Sequence, residues 1–577
     1  MGLRSVLSSI DPPPQIPGMT SETAPRAGMA YAAAERDTER LAGTTSRRFE
    51  VVTLSIFAAL ISFVSAFHEP WKDETQAWRL AIDSNGLREL VHNARYEGHP
   101  LLWHVLLQLV GHVSRSWWAA VALHIVIACV GTWLVLRYAP FTRLQKVLLV
   151  FGYFSAYEYA VVIRPYGLGM VLAFAACIAW TARRRRIGWA IASLALLANT
   201  TALGTMLAMT MALAFAVDWA LPDDVARRPS KRALLVAGGV ALVATVLVLG
   251  ITVAQLKPPA DAAYVGEAKS AVSLSKWDLA ALPTLELNAL VPLAEPEGGL
   301  LWSRWLFQPQ SRNGLALLLA ASLEVLAIGC LIAARRRMAL VCFVVGTTGY
   351  LLFFALFFPG TLHHHGYLYV VWIVSAWLAW GGAPSERPAV LAALTRHADR
   401  WRAPLFTGSL VIPVAAMIQM SIGEIRMPFA DARHVAEVIR ANGLDRAPIV
   451  TLLRSDGQAV AAFLDRQIIF PLEGATGTFV VWGKGSPYRV TVQAVDSAVT
   501  ALLARGECRV VVLSSPTRDV LTATAARARM IYTTSGRPLS ADRYRVWVAS
   551  SPDTARCPPA RYPSRPSASV HQSNPTS

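Results

Sequence analysis

The sequence predicts an all-α polytopic membrane protein of about eleven crossings that carries a C-terminal extracytoplasmic α/β domain. Three observations predict it. Hydrophobic residues make up 54% of the 577 residues and Asp, Glu, Lys and Arg together only 16%, where soluble domains carry roughly 25% charge. Apolar runs of bilayer length recur through most of the chain, a hydrocarbon core of about 30 Å needing about 20 such residues in helix. After Ser421 the pattern changes to short strand-like runs that alternate with amphipathic stretches.

Residues 1–46 are rich in Pro, Ser, Thr, Ala and charge, have no apolar periodicity and contain no signal-peptide arrangement before Arg47. They read as a disordered cytoplasmic tail. The polytopic part occupies 47–422. Its expected crossings are Val51 to Phe67, Trp117 to Leu136, Val147 to Ile163, Tyr166 to Ala182, Ile187 to Ala202, Leu203 to Ala220, Ala233 to Leu256, Gly314 to Ala334, Met338 to Phe358, Gly366 to Trp380 and Pro404 to Ile422. Leu101 to Val113 is too short to span comfortably. Counted as a crossing, it would put Arg183 to Arg186 on the outer side. Read as a lead-in segment, it leaves every basic cluster inside: Arg47 with Arg48, Arg137 with Arg143 and Lys146, Arg183 to Arg186, Arg227 to Arg232, Arg335 to Arg337, and Arg396 with Arg400 and Arg402. Orientation follows that bias. The net charge of +17 is therefore a topology signal and not a nucleic-acid footprint.

Outside then lie the loop 68–100, the turn around Arg164, the loop 257–312, the turn Pro359 to His365, and everything after Gly423. Residues 423–557 form the expected extracytoplasmic α/β domain. Strand-like runs occur at Ile449 to Leu453, Gln467 to Phe470, Thr478 to Trp482, Arg509 to Leu513 and Tyr544 to Ala549, with amphipathic stretches at Ala430 to Ala441 and Val492 to Arg505. Residues 558–577, rich in Pro and Ser, read as a second disordered tail. Of six cysteines, Cys129, Cys177, Cys330 and Cys342 lie in apolar stretches as small core residues. Cys508 and Cys557 can pair if their domain sits in an oxidising compartment.

The candidate chemistry gathers on the outer face. The first outer loop carries Asp73 and Glu74 just beyond the first crossing. A carboxylate there can act as general base for a hydroxyl or amine while a lipid-borne donor approaches from the bilayer, although a solvated loop with an interfacial helix explains the same residues. Glu97 and His99 end that loop, just before Pro100, which favours entry into a helix; a cap-and-turn role is equally open. Arg164 precedes a Pro-initiated helix, and its permanently charged fork suits bidentate contact with phosphate, with snorkelling to headgroups as the alternative. Glu158 is placed to neutralise it. His363, His364 and His365 reach the outer face at a turn, where hydrogen bonds to phosphate or sugar are easier to arrange than a metal chelate. Lys257, Lys269, Lys276, Trp277, Trp302, Arg304 and Trp305 in the long loop suit either a phosphate clamp or an aromatic belt. Glu324, in mid-crossing, is expected to face a protein partner.

The order of Asp73-Glu74 after the first crossing, Gly98-His99-Pro100-Leu101-Leu102 at the next helix entry, and the Arg164-Pro165-Tyr166 turn resembles the GT-C fold of integral-membrane glycosyltransferases. Within it, the chain looks most like the bacterial relatives of dolichyl-phosphate-mannose protein mannosyltransferases (glycosyltransferase family 39-like) and lipid A aminoarabinose transferases. The likeness covers about the first 200 residues well and the later crossings in general plan. That family commonly has two prolines after the histidine, where Leu101 follows Pro100 here.

The resemblance implies transfer of a sugar from a polyprenyl-phosphate donor to an extracytoplasmic protein, lipid or cell-envelope glycan. In its terms, Asp73 is the base with Glu74 beside it, Arg164 holds the donor phosphate and His99 orients donor or acceptor. Phosphate is already a competent leaving group, so a single displacement suffices. A divalent metal can assist as a Lewis acid, although the sequence shows no adequate ligand set. Expected partners are the donor, the acceptor and membrane lipids, with no nucleic acid; the expected location is the inner (plasma) membrane. The rival reading, a transporter or flippase of a lipid-linked saccharide, calls for inverted repeats and midplane ionisable residues. No convincing repeat is present, and the polar groups cluster on one face.

Overall fold

Six helices among the described residues are long and apolar enough to cross a membrane: Arg47–Phe67, Trp117–Tyr138, Ala202–Ala220, Asn313–Ala333, Arg337–Leu356 and Arg400–Arg426. The chain is a polytopic membrane protein. Its computed structural model describes residues 46–181, 183–221, 230–262, 282–295, 302, 305–307, 312–381, 389–452, 454–471, 475–482, 490–515, 528–534, 538–540, 542–553 and 557. Both expected tails, apart from Ser46, and much of the 257–312 loop, with Lys269, Lys276, Trp277 and Arg304, lie outside the described residues.

In chain order the membrane part begins with α1 (Arg47–Phe67), capped by Ser46, whose hydroxyl accepts from the Phe49 N–H. Two loop helices follow, α2 (Lys72–Asp83) and α3 (Leu87–Ala94). They are separated at Gly86, which has φ +82°, a conformation that glycine adopts without cost. α4 (Leu102–Val113) has 12 residues, shorter than a span, and packs on α2 and α3 through Trp78, Leu80, Ala81, Leu90, Trp103 and Leu107. Burying a large side chain such as Leu80 or Leu107 contributes about 1.5–3 kcal/mol, so this loop is clamped to the bundle.

α5 (Trp117–Tyr138) and α6 (Arg143–Val150) come next. The expected crossing Val147 to Ile163 is not one continuous helix. α6 gives way to a π-helical turn at Phe154–Glu158, and turn structure follows to Ile163. The whole segment is buried, Tyr153, Phe154, Tyr157 and Tyr159 at no more than 1% exposure. Irregular backbone at membrane depth survives only where protein covers it, and π turns of this kind recur at functional sites. Hydropathy cannot distinguish such a stretch from a spanning helix, because both are apolar.

The other expected crossings fall on helices: α7 (Tyr166–Thr181), α8 (Arg183–Ala198), α9 (Ala202–Ala220), α10 (Lys231–Leu256), α12 (Arg312–Ala333), α13 (Arg337–Leu356), α14 (Leu362–Trp380) and α15 (Ala389–Arg426), with a short α11 (Leu282–Leu290) before α12. α14 is buried along most of its length and forms the centre of the bundle. Glu324 on α12 is exposed on the outside of the bundle rather than covered within the chain.

The C-terminal part has α16 (Ala432–Ala441), β1 (Ile449–Thr451), α17 (Arg454–Leu464), β2 (Ile468–Phe470), β3 (Ala475–Gly477), α18 (Val492–Ala504), β4 (Arg509–Ser514), β5 (Ala528–Thr533) and β6 (Arg545–Ser550). The strands form one sheet in the order β3-β2-β1-β4-β6-β5, with β1 parallel to β2 and β4 and the remaining pairs antiparallel. Alternation along β4 sorts its two faces. Val511 and Leu513 pack under α16 and α17 with Val435, Ile439 and Val460, whereas Val510 and Val512 pack on α18 with Val495 and Val499. Thr478 to Trp482, read from sequence as a strand, lies outside the named strands; β3 forms just before it. Cys508 and Cys557 are joined in a disulfide, their Cα atoms 5.2 Å apart.

This domain sits directly on α2. The Gln76 side chain pairs with both backbone groups of Val480, donating to its carbonyl at 2.7 Å and accepting from its N–H at 3.0 Å. Arg79 meets Asp465 at 2.9 Å, Thr478 donates to Asp83, and Lys72 meets Asp542 at 3.3 Å. The N–H of Arg433 donates to Glu69 at 2.6 Å.

Candidate active site

α2 begins one turn beyond α1, so its first residues sit at the end of the bundle where α1 finishes. Asp73 is the second residue of that helix, and its carboxylate lies 3.3 Å from Nη1 of Arg164. Asp73 and Arg164, far apart in the chain, are thus one ion pair. Asp73 is 39% exposed and Arg164 11%, so the carboxylate is open to an incoming group while the guanidinium is held from behind. Trp71 and Tyr166 place their rings 5.9 and 5.8 Å from the guanidinium carbon. The turn before α7 closes tightly because Gly167 leaves room for the carbonyl of Tyr159; a Cβ there would come within 2.3 Å of that oxygen. His124 on α5 sets its ring between the carbonyl oxygens of Ala160 (3.1 Å) and Arg164 (3.2 Å) and pins the same turn.

Glu97 and His99 join this group from the other end of the loop. Glu97 accepts from the Gln76 amide at 2.7 Å. Burial, reinforced by Asp73, pushes its carboxyl up to about 7. Burial and the nearby Arg164 charge hold His99 down at about 3, so its imidazole is neutral at physiological pH. Among the described residues, the indole N–H of Trp71, Nδ1 of His99, Nδ1 of His104 and Nε of Arg164 are buried without a hydrogen-bond partner. Buried polar groups are ordinarily satisfied; here the four unmet nitrogens belong to Arg164 and to residues that feel or face its charge.

The three histidines separate. The 362–365 segment is the first turn of α14 and not a free turn: Thr361 is the N-cap, and its N–H donates to Nδ1 of His364 at 3.0 Å. His363 faces the site, stacked on Trp302 with centroids 5.4 Å apart and 5.3 Å from Tyr166. His364 lies beside it, 5.5 Å from Tyr166. His365 turns away, donating to the Pro359 carbonyl at 2.8 Å and lying against Phe354. Adjacent helical positions point about 100° apart, which is why three neighbours do not share one role. Among the described residues no three His, Cys, Asp or Glu side chains converge to hold a metal ion.

Glu74 is turned inward, 1% exposed. Its carboxylate accepts from the N–H of Trp71 (3.0 Å) and the N–H of Ile163 (2.6 Å), and meets Nε2 of His68 at 3.1 Å. His68 in turn meets Glu424, at the end of α15, at 2.8 Å, and Glu424 accepts from the Tyr157 hydroxyl at 2.8 Å. Burial alone would lower the imidazole, but Glu74 and Glu424 raise it to about 10, so His68 is a buried cation. Glu158 does not neutralise Arg164: it accepts from the Tyr153 hydroxyl and from the Trp302 indole at 3.0 Å. Sequence reasoning does not single out His68, Glu424, Trp71 or Gln76. Only the string His68-Glu69-Pro70-Trp71 carries a signal, since Glu424 lies 356 residues from its partner.

No family model matches the chain, and no curated protein matches it. Among solved structures it is similar to ArnT from Cupriavidus metallidurans bound to undecaprenyl phosphate, with a TM-score of 0.50 and 13% identity over 89% of this chain and 100% of that one. The apo state of the same protein gives a TM-score of 0.46 and 15% identity over 88% and 99%. The likeness to the first is one of fold: the chain has an ArnT-like fold.

Proposed function

We propose that this protein is an inner-membrane glycosyltransferase that moves a sugar from a polyprenyl-phosphate donor to an extracytoplasmic acceptor. The observation that carries the reading is the Asp73–Arg164 pair at the outer end of the bundle, with unmet buried polar groups around it. Its fold is shared with a protein whose solved structure holds undecaprenyl phosphate.

In this reading the donor phosphate takes the place of Asp73 on the Arg164 fork. The exchange releases the carboxylate at the moment the substrate arrives. Asp73 then removes the proton of the acceptor hydroxyl or amine, the acceptor oxygen or nitrogen bonds to the anomeric carbon, and the carbon–oxygen bond to phosphate breaks. The leaving phosphate stays against Arg164, while neutral His99 and His363 donate to or accept from phosphate or sugar hydroxyls. Preorganised charge supplies much of the acceleration. Glu74 positions rather than reacts: its carboxylate is engaged by three partners and ties α2 to the turn that carries Arg164.

The test is donor consumption in membranes holding wild type or Asp73→Asn, using radiolabelled polyprenyl-phosphate sugars. Wild type consumes one donor, and the variant, inserted at equal level, loses about 10²–10⁴-fold of that rate. Equal rates would remove Asp73 as the base; no consumption of any donor would favour transport of a lipid-linked saccharide.

A further inference from the structure

Beside the base helix lies a second cavity that the reaction above does not use. It has a volume of about 610 Å³ and opens between α2 and the β2–β3 edge of the C-terminal domain, lined among others by Arg79, Asp83, Asp465, Gln467, Thr476 and Phe470. Ligand clefts are ~300–1,000 Å³. We propose that this cleft is the acceptor site and that it holds a neutral, polyhydroxylated chain, a glycan; the inference rests on the transferase reading.

Four features favour that occupant. Position is the first: Arg79 and Asp83 follow Asp73 on one helix, about 9 and 15 Å along its axis at about 1.5 Å per residue and about a quarter to a third of a turn round it, so an acceptor that runs from the cleft to the base curves round α2. Charge is the second. Arg79 and Arg466 are balanced by Asp83 and Asp465, and the cations are committed, Arg79 to both aspartates and Arg466 to the Asp445 and Ala447 carbonyls. Among the described residues of this lining, a polyanion would meet two carboxylates, Asp83 and Asp465, and one cation not paired to either, Arg466, whose donors are held by neutral carbonyls. Third, amide, hydroxyl and carboxylate groups alternate with Phe470 and Phe479, the mixture that hydrogen-bonds hydroxyls and covers sugar faces. Fourth, β3, the edge strand, spans three of the described residues, Ala475–Gly477, a short edge for a peptide strand to pair along. The C-terminal domain thereby acquires a role in the reaction, supplying one wall of the site whose other wall is the base helix.

The experiment uses native-cell membranes lacking the endogenous copy and complemented with full-length wild type, Thr476→Trp or Gln467→Ala. Thr476 and Gln467 are exposed, and their side chains bond to each other at 2.9 Å, so neither change empties a core. Radiolabelled undecaprenyl-phosphate sugars are supplied, and label is counted separately in polysaccharide, in protein and as free sugar released to water. The expected result is a loss of about 10-fold in polysaccharide labelling for Thr476→Trp, the equivalent of ~1.4 kcal/mol, and a smaller loss for Gln467→Ala expressed in KM. Free-sugar release stays at the wild-type rate. Unchanged polysaccharide labelling overturns the proposal, as does a loss confined to protein labelling or an equal loss of transfer and hydrolysis. Absence of any donor consumption by wild type fails the transferase reading itself and is distinct from these outcomes.

Discussion

Asp73 and Glu74 are neighbours in the chain and belong to two different regions. Around Asp73 and Arg164 the polar groups are short of partners: one ion pair at 3.3 Å, a part-exposed carboxylate and four buried nitrogens unmet among the described residues. Behind them, around Glu74, the partners are abundant: His68, Glu424, Tyr157 and two backbone N–H groups close a network that joins α1, α2, α15 and the Arg164 turn. Both regions hold carboxylates, cations and tyrosines. What separates them is degree: the network around Glu74 leaves one oxygen of Glu424 unmet, whereas the cluster around Arg164 leaves four nitrogens so. Residue type therefore says little about role at this membrane surface, and the balance of met and unmet partners says much.

The contrast can be broken in four steps of falling size. Asp73→Asn is expected to abolish nearly all transfer while leaving the melting behaviour of the purified protein intact, which a thermal-shift measurement beside the donor assay would check. His68→Ala should do the opposite, stranding Glu74 and Glu424 without their cation. Removing one partner of a buried pair costs about 3–5 kcal/mol, so thermal stability should drop steeply, and any activity lost should track the unfolded fraction. The pH dependence has a definite sign. His68 is raised from 6.5 to about 10, so its contribution is full below pH ~6.5 and is lost as pH rises through about 10; wild type should lose melting temperature over that interval, and His68→Ala should not.

Arg164→Lys keeps a charge but loses the planar fork. A charge-assisted hydrogen bond is worth ~1.5–3 kcal/mol, so donor KM should rise about 10- to 100-fold, with stability unchanged. The smallest effect belongs to Glu97. Its carboxyl, held up to about 7, ionises as pH rises through that value and then competes with the donor phosphate for Arg164. Donor KM of the wild type should increase a few-fold above neutrality; Glu97→Gln, uncharged throughout, should give a flat profile. A KM that rises identically in both would remove Glu97 from the site.

Much of the architecture was legible from apolar length, which is a property of single segments. α1, α5, α9 and α13 fall where the hydropathy placed them. Val147 to Ile163 did not, since its aromatic residues are as apolar as a lipid-facing helix and only the burial of its neighbours permits a broken backbone. Asp73 and Arg164 were legible as separate residues of a short motif order, and their contact was not, being a tertiary pairing. The His68–Glu424 contact lay further still from sequence: neither residue stands in a pattern, and their juxtaposition depends on α1 and α15 ending side by side. Among the histidines, the run of three concealed that only His363 and His364 face the cluster. The strand order of the C-terminal sheet, with β3 at one edge and β5 at the other, likewise depends on crossovers that no local pattern announces.

The Cys508–Cys557 bridge fastens the start of β4 to the far end of the domain across 49 residues. Closing a loop of that size contributes about 4 kcal/mol in the chain-entropy account. A thiol pair of this kind persists only where the surroundings oxidise it, so on the outer face proposed here the domain matures after its segment has crossed the bilayer. In that proposed orientation the order of maturation is fixed, with insertion of the helices first, export of the tail second and oxidation last. A cell deficient in thiol oxidation would accumulate a fully inserted bundle whose acceptor wall is still unfinished.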